Sequence, residues 1–148
     1  MDELADRDCV PCRGGMPPLE AAAIAPLLAQ LDGWELWYAG ADHPHPKAPV
    51  HGALRKRYRL PDFAAALELV NRIGAIAEQQ NHHPDLGLAW GRVDVEIWTH
   101  KIAGLTESAF GFAAKCDRAV AELGAGRCAS ARARCRRSSR TPRPSGAP

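Results

Sequence analysis

Apolar residues along this chain switch from helical spacing to alternation and back, and the switches mark out its elements. Ile24, Leu27, Leu28 and Leu31 recur at the intervals of a helix face until Asp32-Gly33 stops the pattern. Pro26 falls inside that helix and interrupts its hydrogen-bond ladder. Trp34-Glu-Leu-Trp-Tyr38 alternates and is rich in aromatics, which predicts a strand. Gly40 to Pro49 is rich in proline and reads as a loop, with His43, His45 and the nearby His51 as solvated residues. Leu54 to Leu60 predicts a second strand, Arg55, Arg57 and Arg59 forming one solvated face. Pro61-Asp62 then opens the clearest helix in the chain. Phe63, Leu67, Val70, Gly74 and Ala77 follow at steps of four and three, predicting one buried stripe, and Asp62 is a fitting N-cap.

After Pro84 the spacing alternates again. Leu86 to Trp90, the pair Gly91-Arg92 and Val93 to His100 predict a β-hairpin with a type II′ turn. In its second strand Val93, Val95, Ile97 and Thr99 face one way, and Asp94, Glu96, Trp98 and His100 the other. Gly104-Leu105-Thr106 introduces a last helix carrying Phe110, Ala113, Ala114, Asp117 and Val120. Thr106 suits its N-cap, although Ala109 cannot complete a capping box. The predicted order is αββαββα, an α+β protein.

Composition adds boundaries. Hydrophobic content of 46% supports a core, and no apolar run is long enough to span a membrane. The acidic start, Met1-Asp-Glu-Leu-Ala-Asp, lacks an apolar signal region, so a cytoplasmic location is expected. From Gly124 onward there are seven arginines and no acid. The preceding residues hold twelve Lys/Arg against seventeen Asp/Glu, a balance of −5. Such an acidic body argues against a nucleic-acid partner. Residues 124–148, built from Arg, Ser, Ala, Pro and Gly, are expected to be a disordered basic tail. Residues 1–18 read as a flexible leader closed by Pro17-Pro18, leaving 19–123 as the folded domain. Cys9 and Cys12 form a single C-x-x-C, half of a zinc site without a second pair at suitable spacing, so reduced thiols are expected.

The chemistry concentrates in Glu78-Gln-Gln-Asn81-His82-His83-Pro84, answered later by Thr99-His100. Histidine can give and take protons near neutrality, and three such residues near a carboxylate suit proton transfer or metal binding. Pro84 disfavours helical geometry at His83, so the helix ends there. His82 then stands one turn beyond Glu78, and His83 points elsewhere, letting two rings address different atoms of one ligand. Metal binding fits less well, because adjacent histidines converge poorly on one ion and no H-x-x-x-H or H-E-x-x-H is present. A plain helix-capping role remains as the bland alternative. General acid–base catalysis on a small polar molecule accounts best for the cluster.

These residues carry a specific resemblance. Glu-x-x-x-His-His-Pro from Glu78 to Pro84, five residues to Trp90 and nine more to His100 resemble the pterin-4a-carbinolamine dehydratase signature. Gly33-Trp34, Leu60-Pro61-Asp62-Phe63, Thr99-His100 and Gly104-Leu105-Thr106 fit the same family, over about Leu19 to Leu123, and the Cys9-to-Gly15 leader resembles extensions on some bacterial members. The resemblance implies a four-stranded antiparallel sheet packed on one face by about three helices. It implies dehydration of 4a-hydroxytetrahydrobiopterin to quinonoid dihydropterin, supporting tetrahydrobiopterin recycling for an aromatic amino-acid hydroxylase. The pterin is then substrate, with no metal or cofactor, and the protein a homodimer or homotetramer. By resemblance, His83 and His100 are the acid/base pair, His82 binds and orients the ring, and Glu78 orients or tunes His82. Asn81, Pro84, Trp98, Thr99 and Lys101 match substrate-contacting positions, and Trp90 matches an aromatic one. The chain departs from the family at Ala109, where many active members carry an acid. Ser108 stands where animal members have a basic residue, Asn81 where they often have Asp, and Asp117 lies too late to replace the missing acid. These departures leave open a catalytically weak member acting as an interaction or dimerisation protein.

Overall fold

The computed structural model describes residues 3–10, 16–40, 42–43 and 48–137, the side chains of residue 3 and residues 125–137 excepted. In chain order the elements are α1 (Glu3–Asp6), α2 (Ala21–Leu28), β1 (Glu35–Trp37), β2 (Ala53–Arg59), α3 (Phe63–Gln80), β3 (Asp85–Ala89), β4 (Arg92–Ile97) and α4 (Glu107–Arg137). The strands form one antiparallel sheet in the order β1-β2-β4-β3, so the hairpin places β4 at the centre. This is the α+β order that the spacing predicts, with one short helix added at the front.

Alternation decides which sheet face is covered. Leu54, Tyr58, Val93, Val95 and Ile97 are buried against α3 and α4. On the opposite face Arg55 pairs with Glu96 (3.1 Å) and Arg57 with Asp94 (2.6 Å). Burial of each large aliphatic side chain in this core contributes about 1.5–3 kcal/mol. A polar hub closes one end of the core, where Asp117 of α4 accepts hydrogen bonds from Trp34 Nε1 (3.0 Å), Lys56 Nζ (2.7 Å) and the Tyr58 hydroxyl (2.6 Å). Burial, with Cys116 and Asp117 beside it, pushes the Tyr58 pKa far up, so Tyr58 stays a donor.

Several expectations change at this level. The buried stripe of α3 is Ala66, Leu69, Ile73 and Ala77, whereas Phe63 and Leu67 are each 42% exposed. Two apolar stripes one position apart run along this helix, and spacing alone does not say which meets the sheet. The hairpin loop is Trp90-Gly91, because Ala89 pairs with Arg92. Its positive φ (62°) falls on the second loop residue, Gly91, which excludes a type II′ turn. β4 ends at Ile97, so Trp98 escapes the alternation and is buried. The leader is docked over residues 3–10, α1 packing on α4. Finally, α4 runs on to Arg137 through the segment expected to be disordered. Alanine and arginine dominate residues 125–137, and both rank high in helix propensity.

Candidate functional site

The end of α3 separates two adjacent rings. Asn81 takes the left-handed conformation (φ 50°, ψ 39°), which asparagine tolerates better than most residues. The Asn81 N–H returns to the Glu78 carbonyl (3.3 Å) and the His82 N–H to the Ala77 carbonyl (3.1 Å), a Schellman closure. The reversal turns His82 inward, 9% exposed, and its ring stacks on Phe112 of α4 with centroids 5.4 Å apart. His83 turns outward, where its Nε2 lies 2.8 Å from Glu78 Oε1. The sequence placed Glu78 beside His82, one helical turn on. The left-handed residue breaks that turn, so the carboxylate meets His83 instead.

Burial pushes the His82 pKa down to about 4, with a hydrogen bond to the Trp98 backbone opposing and the charges of His100 and His83 assisting the shift. That bond can favour the charged ring only if the imidazole donates, so a ring N–H points at the Trp98 carbonyl. His82 Nε2 has no hydrogen-bond partner among the described residues. Nδ1 is therefore the ring atom left to meet Trp98, and Nε2 is the one without a partner. A buried acceptor left without a partner costs about 1–3 kcal/mol, which a bound ligand's donor would recover.

The third histidine comes from the turn after β4. Thr99 N–H bonds to the Gly104 carbonyl (2.8 Å), Ile102 N–H to the Thr99 carbonyl (3.2 Å), and the Thr99 and Thr106 hydroxyls pair at 3.2 Å. This turn presents His100, packed edge-on against Trp98 at 4.5 Å. The two segments enclose a cleft of about 360 Å³ lined by Gln80, Asn81, His82, His83, Trp98, Thr99, His100 and Lys101, with Cys9 and Val10 of the leader.

Seven of the sequence-predicted site residues thus line one cleft. Glu78 stands behind His83, and Pro84 acts on the backbone of His83 without lining the cleft. Trp90 does not join them: it sits in the β3–β4 loop, 75% exposed. Asp117 is committed to the hub described above. Ala109 is fully buried in the core and does not line the cleft. Sequence reasoning missed Cys9, Val10 and Gln80, and it misplaced His43. That ring is packed between Trp37 (5.4 Å) and Trp98 (6.1 Å), its Nε2 3.5 Å from Glu96 Oε1. A proline-rich loop carries no signal for such packing. A larger hollow, about 690 Å³, lies on the open sheet face, where Arg55 and Arg57 are already paired with Glu96 and Asp94. Among the described residues no group of three or more His, Cys, Asp or Glu is placed to hold a metal ion.

Fold and cleft together define an α+β protein with three imidazoles in contrasting environments around one cleft. The pterin 4 alpha carbinolamine dehydratase family model matches residues 17–119, and the chain belongs to that family. A Rubrobacter xylanophilus protein provisionally named pterin-4-alpha-carbinolamine dehydratase is 49% identical over 118 residues, covering 80% of this chain and 99% of that one. A Rickettsia bellii protein of the same name is 48% identical over 114 residues, covering 77% and 91%. Among solved structures, a transcriptional coactivator/pterin dehydratase from Brucella melitensis superimposes with a TM-score of 0.58 at 26% identity, covering 70% of this chain and 98% of that one. No helix among the described residues is long and apolar enough to cross a membrane.

Proposed function

We propose that the chain dehydrates a 4a-hydroxytetrahydropterin, 4a-hydroxytetrahydrobiopterin being the substrate expected, and so supports recycling of tetrahydrobiopterin. In this reaction the C4a–O bond breaks and the hydroxyl leaves as water after gaining a proton. N5 loses its proton, and its electron pair forms the new N5=C4a bond of the quinonoid dihydropterin. One group must donate and another accept within the same cleft. His83 and His100 are the proposed pair, the pterin being substrate and no cofactor entering the reaction. Glu78 holds His83 through its Nε2, acting on the outer ring rather than on His82. His82, neutral and bonded through Nδ1 to Trp98, presents Nε2 as a fixed acceptor that orients the substrate. Asn81, Trp98, Thr99 and Lys101 supply the remaining contacts.

The observation that carries this reading is the buried, neutral His82 ring beside two further histidines in one cleft. Decay of 4a-hydroxytetrahydropterin, followed by stopped-flow absorbance, tests it. The wild-type protein should accelerate dehydration, and His83→Ala should lower kcat by roughly 10²-fold. A wild-type rate equal to the uncatalysed one would sink the proposal.

A second reading is self-association or partner binding, favoured by the apolar strip that α3 leaves exposed at Phe63 and Leu67. We propose a homodimer or homotetramer formed in part through this strip.

A further inference from the structure

Residues 3–10 of the leader take no part in the reaction as proposed, yet they are held firmly and reach the cleft. A helix of four residues has little stability alone, so what fixes α1 must come from its neighbours. Leu4 and Ala5 are buried. Gly111 of α4 makes room for them, since a Cβ there would come within 3.1 Å of the Leu4 carbonyl oxygen. Lys115 Nζ donates to the carbonyls of Ala5 (2.6 Å) and Arg7 (2.7 Å), and Arg118 pairs with Asp6 (2.8 Å). Beyond Arg7 the chain crosses to the end of α3. Cys9 N–H donates to Gln80 Oε1 (2.8 Å), and the Cys9 thiol lies 3.6 Å from the Ser108 carbonyl. Ser108 Oγ reaches the Val10 carbonyl at 3.5 Å. The segment therefore bridges the C-terminal end of α3 and the first turn of α4, the two helix ends that flank the histidine cleft. Cys9 and Val10 line that cleft, and Val10 leaves its aliphatic side chain 72% exposed there.

We infer that residues 3–10 are a fixed wall of the site, and that Val10 with Cys9 contacts the carbon substituent carried by the pterin ring. The inference rests on the pterin reading of the cleft. The proton-transferring groups come from α3 and from the turn after β4, so the wall adds apolar surface without adding acid or base. A polar ring edge gains nothing from an aliphatic rim, whereas the carbon skeleton and terminal methyl of a dihydroxypropyl substituent do, its hydroxyls remaining towards solvent. The leader is thus a specificity element, anchored through α4 at a distance from the histidines.

Two variants separate this role from a merely structural one. Val10→Asp keeps every anchor and makes the rim polar. Lys115→Ala removes the ammonium that holds two leader carbonyls, and lies outside the cleft. KM is measured for 4a-hydroxytetrahydrobiopterin and for its counterpart without a side chain at C6. In parallel, Kd is measured by fluorescence for the unreactive 7,8-dihydrobiopterin and 7,8-dihydropterin. The wild type should prefer the substituted member of each pair by about threefold to tenfold, as a partial apolar contact allows. Both variants should lose that preference, while Lys115→Ala should leave kcat for the unsubstituted substrate unchanged and expose the bond after Arg7 to trypsin. An identical preference in all three proteins overturns the inference. Absence of turnover in the wild type sinks the dehydratase reading instead, and the binding ratios still decide whether the leader selects.

Discussion

His82 shows how one side chain links burial, protonation and site geometry. Its ring would titrate near 6.5 when solvated, and burial takes it to about 4 in the folded protein. Between those values the unfolded chain binds more protons than the folded one, so stability rises with pH. It is fully present above pH 6.5 and is lost as pH falls towards 4. Acidification from pH 7 to 4.5 should therefore cost the wild type about 2–3 kcal/mol more than His82→Gln, read from urea melts at the two pH values. An equal loss in both proteins would show that the ring is not desolvated as described. Ala109 is the opposite case, a residue whose importance rested on a comparison. The absent acid would sit in the first turn of α4, where a capping carboxylate contributes about 1 kcal/mol. In this fold, however, that side chain faces the core rather than the cleft. Ala109→Asp should lower the melting temperature, because a carboxylate would be buried, and leave the dehydration rate within about twofold, a change of about 0.4 kcal/mol in the barrier. A rate gain after this substitution would place the missing acid back in the chemistry.

Elements were more legible than their faces. Each strand and each long helix follows from a change of spacing, because period two and period 3.6 leave distinct traces in the sequence. The orientation of α3 was not legible: Leu67 and Leu69 serve equally well as core residues until the sheet is placed. The turn at Asn81 was hidden for a similar reason. Pro84 announced that the helix ends, but not that a left-handed residue would turn His82 in and hand Glu78 to His83. The leader and His43 were misread because their partners lie far away in sequence, on α4 and around Trp98. Asp117 gives the element scale its own test. It joins α4 to Trp34, Lys56 and Tyr58, so Asp117→Ala removes three hydrogen bonds and leaves the Lys56 ammonium with the Asp32 carbonyl but no counter-charge. Unfolding in urea should show a loss on the order of 2–4 kcal/mol. A loss under about 0.5 kcal/mol, the range of an ordinary surface substitution, would mean that water replaces the hub without cost.

At the scale of the whole molecule, the misassigned stripe becomes informative. Phe63 and Leu67 lie on the face of α3 turned from the core, with Val70 half-buried a turn further on. Apolar positions at i, i+4 and i+7 form a continuous seam, the pattern by which one helix packs on another. Within the chain the described residues leave Phe63 and Leu67 exposed, whereas a second copy would cover them with the same surface by two-fold symmetry. The cleft lies at the C-terminal end of α3, whereas Phe63 and Leu67 lie in its first two turns. Association and catalysis should therefore come apart. Leu67→Glu puts a charge at the middle of the seam while leaving Leu69 and Ile73 to hold the core. By size-exclusion chromatography with light scattering, the wild type should run as a dimer or tetramer and Leu67→Glu as a smaller species, with dehydration per chain retained. A variant that keeps the wild-type mass would show that this face of α3 is not the contact. Loss of activity together with mass would show that the cleft depends on its neighbour after all.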